Sequence, residues 1–161
     1  MEEWAPVINC KNESSTIICM AVYLSGNSFA QKIRVMKKDT VQETEIRNAI
    51  EQYYFKGIYE GNTELLKQVF HKDALLFGDI KGVPYYKTAT QYIEGVGSRI
   101  SPQKSGKDFN PKIISVDVIN TIATAKLNVK MYDFNYYNFI TFHKIDGKWL
   151  IVNKTLTDVE F

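Results

Sequence analysis

Residues 136–156 read YYNFITFHKIDGKWLIVNKTL. Asp146-Gly147 stands at the centre of this stretch, and this dipeptide favours a two-residue hairpin turn because both positions tolerate positive φ. Counting outward from the turn sets a register. His143 faces Leu150, Thr141 faces Val152 and Phe139 faces Lys154, while Phe142 with Ile151 and Asn138 with Thr155 take the opposite face. Apolar side chains occupy both faces. Helices over one face and a second copy of the chain over the other would account for this, so a homodimer through the sheet is expected.

The alternation continues upstream. Ile114, Val116 and Val118 alternate with Ser115 and Asp117; Ala123, Ala125, Leu127, Val129 and Met131 alternate with Thr124, Lys126, Asn128 and Lys130. A period of two marks strands with distinct faces. Residues 101–111, with Pro102, Gly106 and Pro111, read as a polar loop. Before it the period is helical. A first helix starts near Thr40, which forms a capping box with Glu43, and carries Ile46, Ala49, Ile50, Tyr53, Tyr54, Gly57 and Ile58 on one face up to Gly61. Asn62 caps a short second helix with Leu65, Leu66, Val69 and Phe70. The turn His71-Lys72-Asp73 leads into a strand, Ala74 to Phe77, and a third helix starts at Thr88 with Ala89, Tyr92, Ile93 and Val96 inward. Three helices, one early strand and four later antiparallel strands give an α+β fold over about residues 40–158.

Composition narrows the function classes. A net charge of +2 gives no electrostatic footprint for DNA or RNA, so no nucleic-acid partner is expected. Both cysteines, Cys10 and Cys19, lie near the start. The remainder therefore has no disulfide framework, Cys-based zinc site or Cys nucleophile. Two histidines far apart, His71 and His143, make no metal spacing, and neither metal nor cofactor is expected. The run Thr16 to Leu24 is too short to span a bilayer as a helix, so no integral membrane segment is expected. It has the length of a signal-peptide apolar region, and Ser28 and Ala30 offer a small-x-small cleavage site, although Glu2, Glu3 and Glu13 stand where basic residues belong. Residues 1–30 are thus a signal peptide or an N-terminal extension. The first places the product in the periplasm or outside the cell, the second in the cytoplasm. Ten tyrosines suit a half-polar cavity, because each brings an apolar ring and a hydroxyl that needs a partner.

Three stretches carry a family resemblance. Residues 49–62, AIEQYYFKGIYEGN, resemble the first helix of nuclear transport factor 2-like proteins; residues 69–74, VFHKDA, resemble their helix-to-strand junction; residues 144–154, KIDGKWLIVNK, resemble their final hairpin. Within that superfamily the chain is similar to the group named putative lumazine-binding proteins. The resemblance implies a cone-shaped, strongly curved antiparallel sheet of about four to six strands packed on three N-terminal helices. It also implies a small aromatic or heterocyclic ligand, pteridine-like by the group's name. One departure is Asn138, where that group usually carries Asp.

Three functional readings follow. In a non-catalytic ligand-binding protein, Tyr54, Phe55, Tyr59, Phe77, Tyr92, Phe139, Thr141 and Lys154 would line the cone, with Asn138 or Tyr54 hydrogen-bonding the ligand's edge. The ketosteroid isomerase branch implies an isomerase, dehydratase or cyclase instead. There Tyr54 takes the place of the tyrosine donor and Asn138 falls near the protonated Asp. The base position falls on Gly78, leaving the neighbouring Asp79, or His71 beside Asp73, as candidate bases. A cone filled by its own side chains would make the protein a structural or interaction module.

Overall fold

The computed structural model describes residues 41–160. The Thr40 cap, both cysteines and the candidate leader lie outside the described residues. The first helix, α1, covers residues 41–60 and is π-helical over Ile50–Phe55. Ile46, Ile50, Tyr54 and Ile58 recur every four residues and are all buried. Four residues overshoot an α turn and undershoot the wider π turn, so mixing the two keeps the stripe straight and turns Phe55 inward as well. Gly61 closes α1 in the left-handed region, and the Asn62 side chain accepts the Glu64 and Leu65 N–H groups to open α2, Thr63–Val69.

Strand β1, Phe70–Ile80, follows at once, so the expected polar turn at 71–73 is the opening of a strand. Phe70 pairs with Ile151 and Leu75 with Asn153, and this irregular step absorbs His71 to Asp73 within the strand. The turn Lys81-Gly82, both at positive φ, sends the chain back as β2, Val83–Thr88. This strand has no alternating pattern in the sequence because it forms one edge of the sheet, where Pro84 is tolerated. Thr88 and Gln91 form a capping box for α3, Ala89–Ser98, and a short α4, Pro102–Ser105, interrupts the polar loop. Four strands complete the chain: β3, Phe109–Ile119; β4, Ile122–Met131; β5, Phe134–Ile145; and β6, Lys148–Asp158. The six-stranded sheet has the order β2-β1-β6-β5-β4-β3. All neighbours are antiparallel except β1 and β6, which run parallel.

The helices pack on one face. Glu45 of α1 accepts hydrogen bonds from Lys144 Nζ at 2.8 Å and Trp149 Nε1 at 3.0 Å, tying the helix to the β5–β6 hairpin. Lys144 holds the Glu45 carboxyl below its ordinary range.

Two bulges correct the register read from the sequence. His143 opposite Leu150 and Phe142 opposite Ile151 are as counted, but Thr141 pairs with Asn153, Phe139 with Thr155 and Asn138 with Leu156. Val152 is the extra residue. It lies between Ile151 and Lys154, both buried, and lets an odd interval of three keep both on the inner face. The Asn153 side chain fastens the bulge to β1 by donating to the Leu75 carbonyl at 3.1 Å. In β3 the extra residue is Ile114, which is exposed, while Ile113, Val116 and Val118 pack against the core.

Neighbouring partners trace a row across the outer face: Tyr86, Phe77, Thr155, Phe139 and Lys126. Tyr86 is 58%, Phe77 43% and Phe139 57% exposed, so the row is an apolar strip open to solvent among the described residues.

Gly78 lies where β1 passes closest to β6. Its φ of 153° is rarely taken by L side chains, and a Cβ there would run into the Leu156 carbonyl. Gly78→Ala is expected to destabilise the fold by about 3 kcal/mol or more, measured by urea unfolding. Gly147→Ala, in an open turn, should lose about 1 kcal/mol through its positive φ alone.

Candidate functional site

The inner face of the sheet and the helices α1 and α3 enclose a cavity of about 160 Å³. Each wall follows from a local feature. Tyr54 and Ile58 come from the inward stripe of α1, Tyr92 and Val96 from that of α3, and Val129 and Met131 from the inner parity of β4. Tyr136 and Asn138 have the inner parity of β5, and Lys154 and Leu156 have the β6 parity set by the Val152 bulge. Tyr85 and Lys87 of β2 and Arg99 at the end of α3 form the rim.

Lys154 is 4% exposed, and its ammonium has no hydrogen bond or ion pair among the described residues. Nζ lies 4.7 Å from the centre of the Tyr92 ring and 5.4 Å from that of Tyr54. Each cation–π contact contributes on the order of 1–2 kcal/mol, less than the several kcal/mol needed to desolvate an ammonium. Burial, with a smaller push from the Arg99 charge, accordingly lowers the Lys154 pKa from 10.5 to about 7. Asn138 is 2% exposed, and neither its Nδ2 nor its Oδ1 has a hydrogen-bond partner among the described residues. An unmet buried polar group destabilises by about 1–3 kcal/mol.

Burial pushes the Tyr92 and Tyr136 hydroxyls up to about 12 and raises Tyr54 and Tyr85 as well. All four are therefore O–H donors at neutral pH. Lys87 Nζ lies 5.5 Å from the Tyr85 ring centre, and the Arg99 guanidinium carbon 5.9 Å from that of Tyr132. Among the described residues no Asp or Glu lines the cavity.

The family model for putative lumazine-binding proteins matches residues 42–157. The chain belongs to the putative lumazine-binding family. The solved structures place that family member on the nuclear transport factor 2-like fold. One such protein of unknown function, from Silicibacter pomeroyi DSS-3, is 18% identical with a TM-score of 0.67, covering 74% of this chain and 98% of that one. Another, from Shewanella baltica OS155, is 19% identical with a TM-score of 0.63, covering 73% and 96%. A third, from Methylobacillus flagellatus KT, is 24% identical with a TM-score of 0.61, covering 72% and 88%. Among curated proteins, none matches the sequence.

Of the ligand-lining residues read from the sequence of this lumazine-binding family member, Tyr54, Tyr92, Asn138 and Lys154 meet in the cavity. Phe55 is buried beside Tyr54, their ring centres 5.7 Å apart, without lining it. Tyr59 is 38% exposed and packs on Phe109. Phe77, Phe139 and Thr141 have the outer parity of their strands; the counted register that grouped Phe139 and Thr141 with Lys154 missed the Val152 bulge.

The candidate bases do not join Tyr54. Asp79 accepts a hydrogen bond from the Thr157 hydroxyl at 3.0 Å and does not line the cavity. His71 borders a separate groove with Trp149 and Phe70, where Nδ1 accepts the Asp73 N–H at 3.2 Å. His143 is exposed on the outer face. Sequence reading missed Tyr85, Lys87, Arg99 and Tyr136. Residues around Tyr85 and Lys87 show no strand alternation, and Arg99 follows a helix in which Gly95 and Gly97 weaken the sequence signal for its end. Among the described residues no group of three or more His, Cys, Asp or Glu could hold a metal ion, and no helix is long and apolar enough to cross a membrane.

A lysine whose pKa is lower folded than unfolded binds fewer protons in the native state. Its destabilising effect is complete below about pH 7 and fades as pH rises toward 10.5. Lys154→Met should therefore raise stability by about 1–4 kcal/mol at pH 6, with the gap closing toward pH 10, as read by urea unfolding across pH.

Proposed function

We propose that this protein binds a small molecule in the α1–α3–sheet cavity and does not transform it. The observation that carries this reading is the pair Asn138 and Lys154, two polar side chains buried against the cavity with no hydrogen-bond or ion-pair partner among the described residues. A closed core would bury apolar groups there, since each unmet group lowers stability. A guest that satisfies them recovers that loss.

The lining supports binding over turnover. Ketosteroid isomerase-type chemistry needs a carboxylate or imidazole base beside the tyrosine donor. Asp79 is engaged with Thr157, and His71 lies in another groove. Lys154 is the basic group inside, and its neighbours there are tyrosine hydroxyls held protonated. Size restricts the guest. A cavity of about 160 Å³ resembles the roughly 150 Å³ space that accepts one benzene ring, so a second fused ring would extend through the mouth. The same reading takes the protein as a homodimer, the exposed strip of Tyr86, Phe77 and Phe139 being covered by a second copy.

Native mass spectrometry of the full-length product from a bacterial host tests this reading. The expected result is a dimer with an adduct of roughly one to three hundred daltons per subunit, lost in Asn138→Leu; a guest of that mass contains the one or two rings the cavity and its mouth admit. A bare protein that also fails to take up added lumazine or benzoate would contradict it. Tyr54→Phe should weaken binding by up to about tenfold, the contribution of one hydrogen bond.

A further inference from the structure

Among the described residues the charges around the cavity are all of one sign. Lys154 stands at the inner end, Lys87 and Arg99 stand at the rim, and no carboxylate of those residues lines the walls. The polar hydrogens are arranged alike: Tyr54 gives its hydroxyl hydrogen to Tyr92, and the Tyr85, Tyr92 and Tyr136 hydroxyls and the Asn138 amide can donate into the space. The carboxylate whose charge Tyr136 feels is Asp158, which accepts the Lys81 backbone N–H at 2.6 Å and is outside the lining. A site of donors and cations with one amide acceptor selects for an anion.

Resting on the reading of this cavity as a ligand site, we propose that its ligand is a planar, single-ring carboxylate whose charged group is held by Lys154 and Asn138. The buried pair supplies what a carboxylate needs: an ammonium and an amide N–H, both without partners among the described residues. Lys87 and Arg99 at the mouth draw the anion in. Tyr85, Val129, Met131 and Leu156 give the ring its apolar walls, and the enclosed volume admits one ring.

The charge pairing predicts a proton linkage. Burial and the Arg99 charge hold the Lys154 pKa at about 7, and a carboxylate beside it favours the ammonium, so binding takes up a proton above about pH 7. The groups facing Lys154 from the packed elements are Tyr54 of α1, Tyr92 and Arg99 of α3, and Tyr136 and Asn138 of β5. The tyrosines stay protonated through this range, leaving Lys154 as the group that titrates inside the cavity among the described residues.

Isothermal calorimetry with benzoate and its neutral isostere benzamide tests the proposal on the full chain. Benzoate should bind at least about tenfold more tightly than benzamide at pH 6, and should lose at least about tenfold in affinity by pH 9 while benzamide stays constant. At about pH 8, buffers of different ionisation enthalpy should show about one proton taken up per benzoate. Lys154→Met should abolish the preference while retaining benzamide. Equal binding of the two probes, or a pH-independent benzoate affinity, overturns the anion assignment. If lumazine binds and benzoate does not, the ligand site stands and the carboxylate fails; if neither probe nor lumazine binds and the purified protein is bare, both fail together.

Discussion

Val152 has no partner in the β5–β6 ladder, and the parity of the strand on either side depends on that one residue. Strand side chains alternate strictly, so Trp149 and Ile151 facing the helices would leave Lys154 and Leu156 facing outward. The extra residue reverses this. Trp149 and Ile151 seal the end of the core near the hairpin, and Lys154 and Leu156 turn into the cavity. The bulge is held from the side by the Asn153 amide on the Leu75 carbonyl, and beyond it Gly78 lets β1 and β6 run in close contact. Asn138, with the inner parity of β5, joins the same space, and the shifted register sets it opposite Leu156.

The energetic consequence is a site that works against the stability of its own fold. An ammonium under two tyrosine rings and an amide without partners are expensive to bury. Apolar residues of similar size would pack there more favourably. The surrounding core of Ile46, Ile50, Leu66, Leu76, Leu127, Ile140, Phe142 and Ile151 is closely covered and supplies the compensating burial. The wide π turn of α1 belongs to the same arrangement, because it places Tyr54 over Lys154 while Phe55 remains in the core.

Much of the scaffold is legible in local sequence. The four-residue recurrence of Ile46, Ile50, Tyr54 and Ile58, the Gly61-Asn62 junction and the Asp146-Gly147 turn each act through their own backbone, so their reading needs no tertiary knowledge. The alternation from Ala123 to Met131 is equally direct. What sequence alone does not reveal depends on distant pairing. Nothing in Ile151-Val152-Asn153-Lys154 marks Val152 as the unpaired residue, because the partner that fixes the bulge, Leu75, lies in another strand. The same lack of local signal hides Ile114. The edge strand Val83–Thr88 has no alternating face, so Tyr85 and Lys87 are not visible as rim residues. Lys154, Tyr54, Tyr92 and Asn138 are legible as lining candidates, but their union with Arg99 and Lys87 into a site without carboxylates among the described residues appears only in three dimensions.

The Val152 bulge turns Lys154 into a buried position without a hydrogen-bond or ion-pair partner among the described residues. The most direct measurement is a pH titration of the Lys154 ε-carbon by NMR in lysine-labelled protein, assigned with Lys154→Met. The structure predicts a midpoint of about 7, against 10.5 for an ordinary lysine. A midpoint near 10.5 would mean that the side chain reaches solvent, and would contradict both the inward parity of β6 and the site built on it.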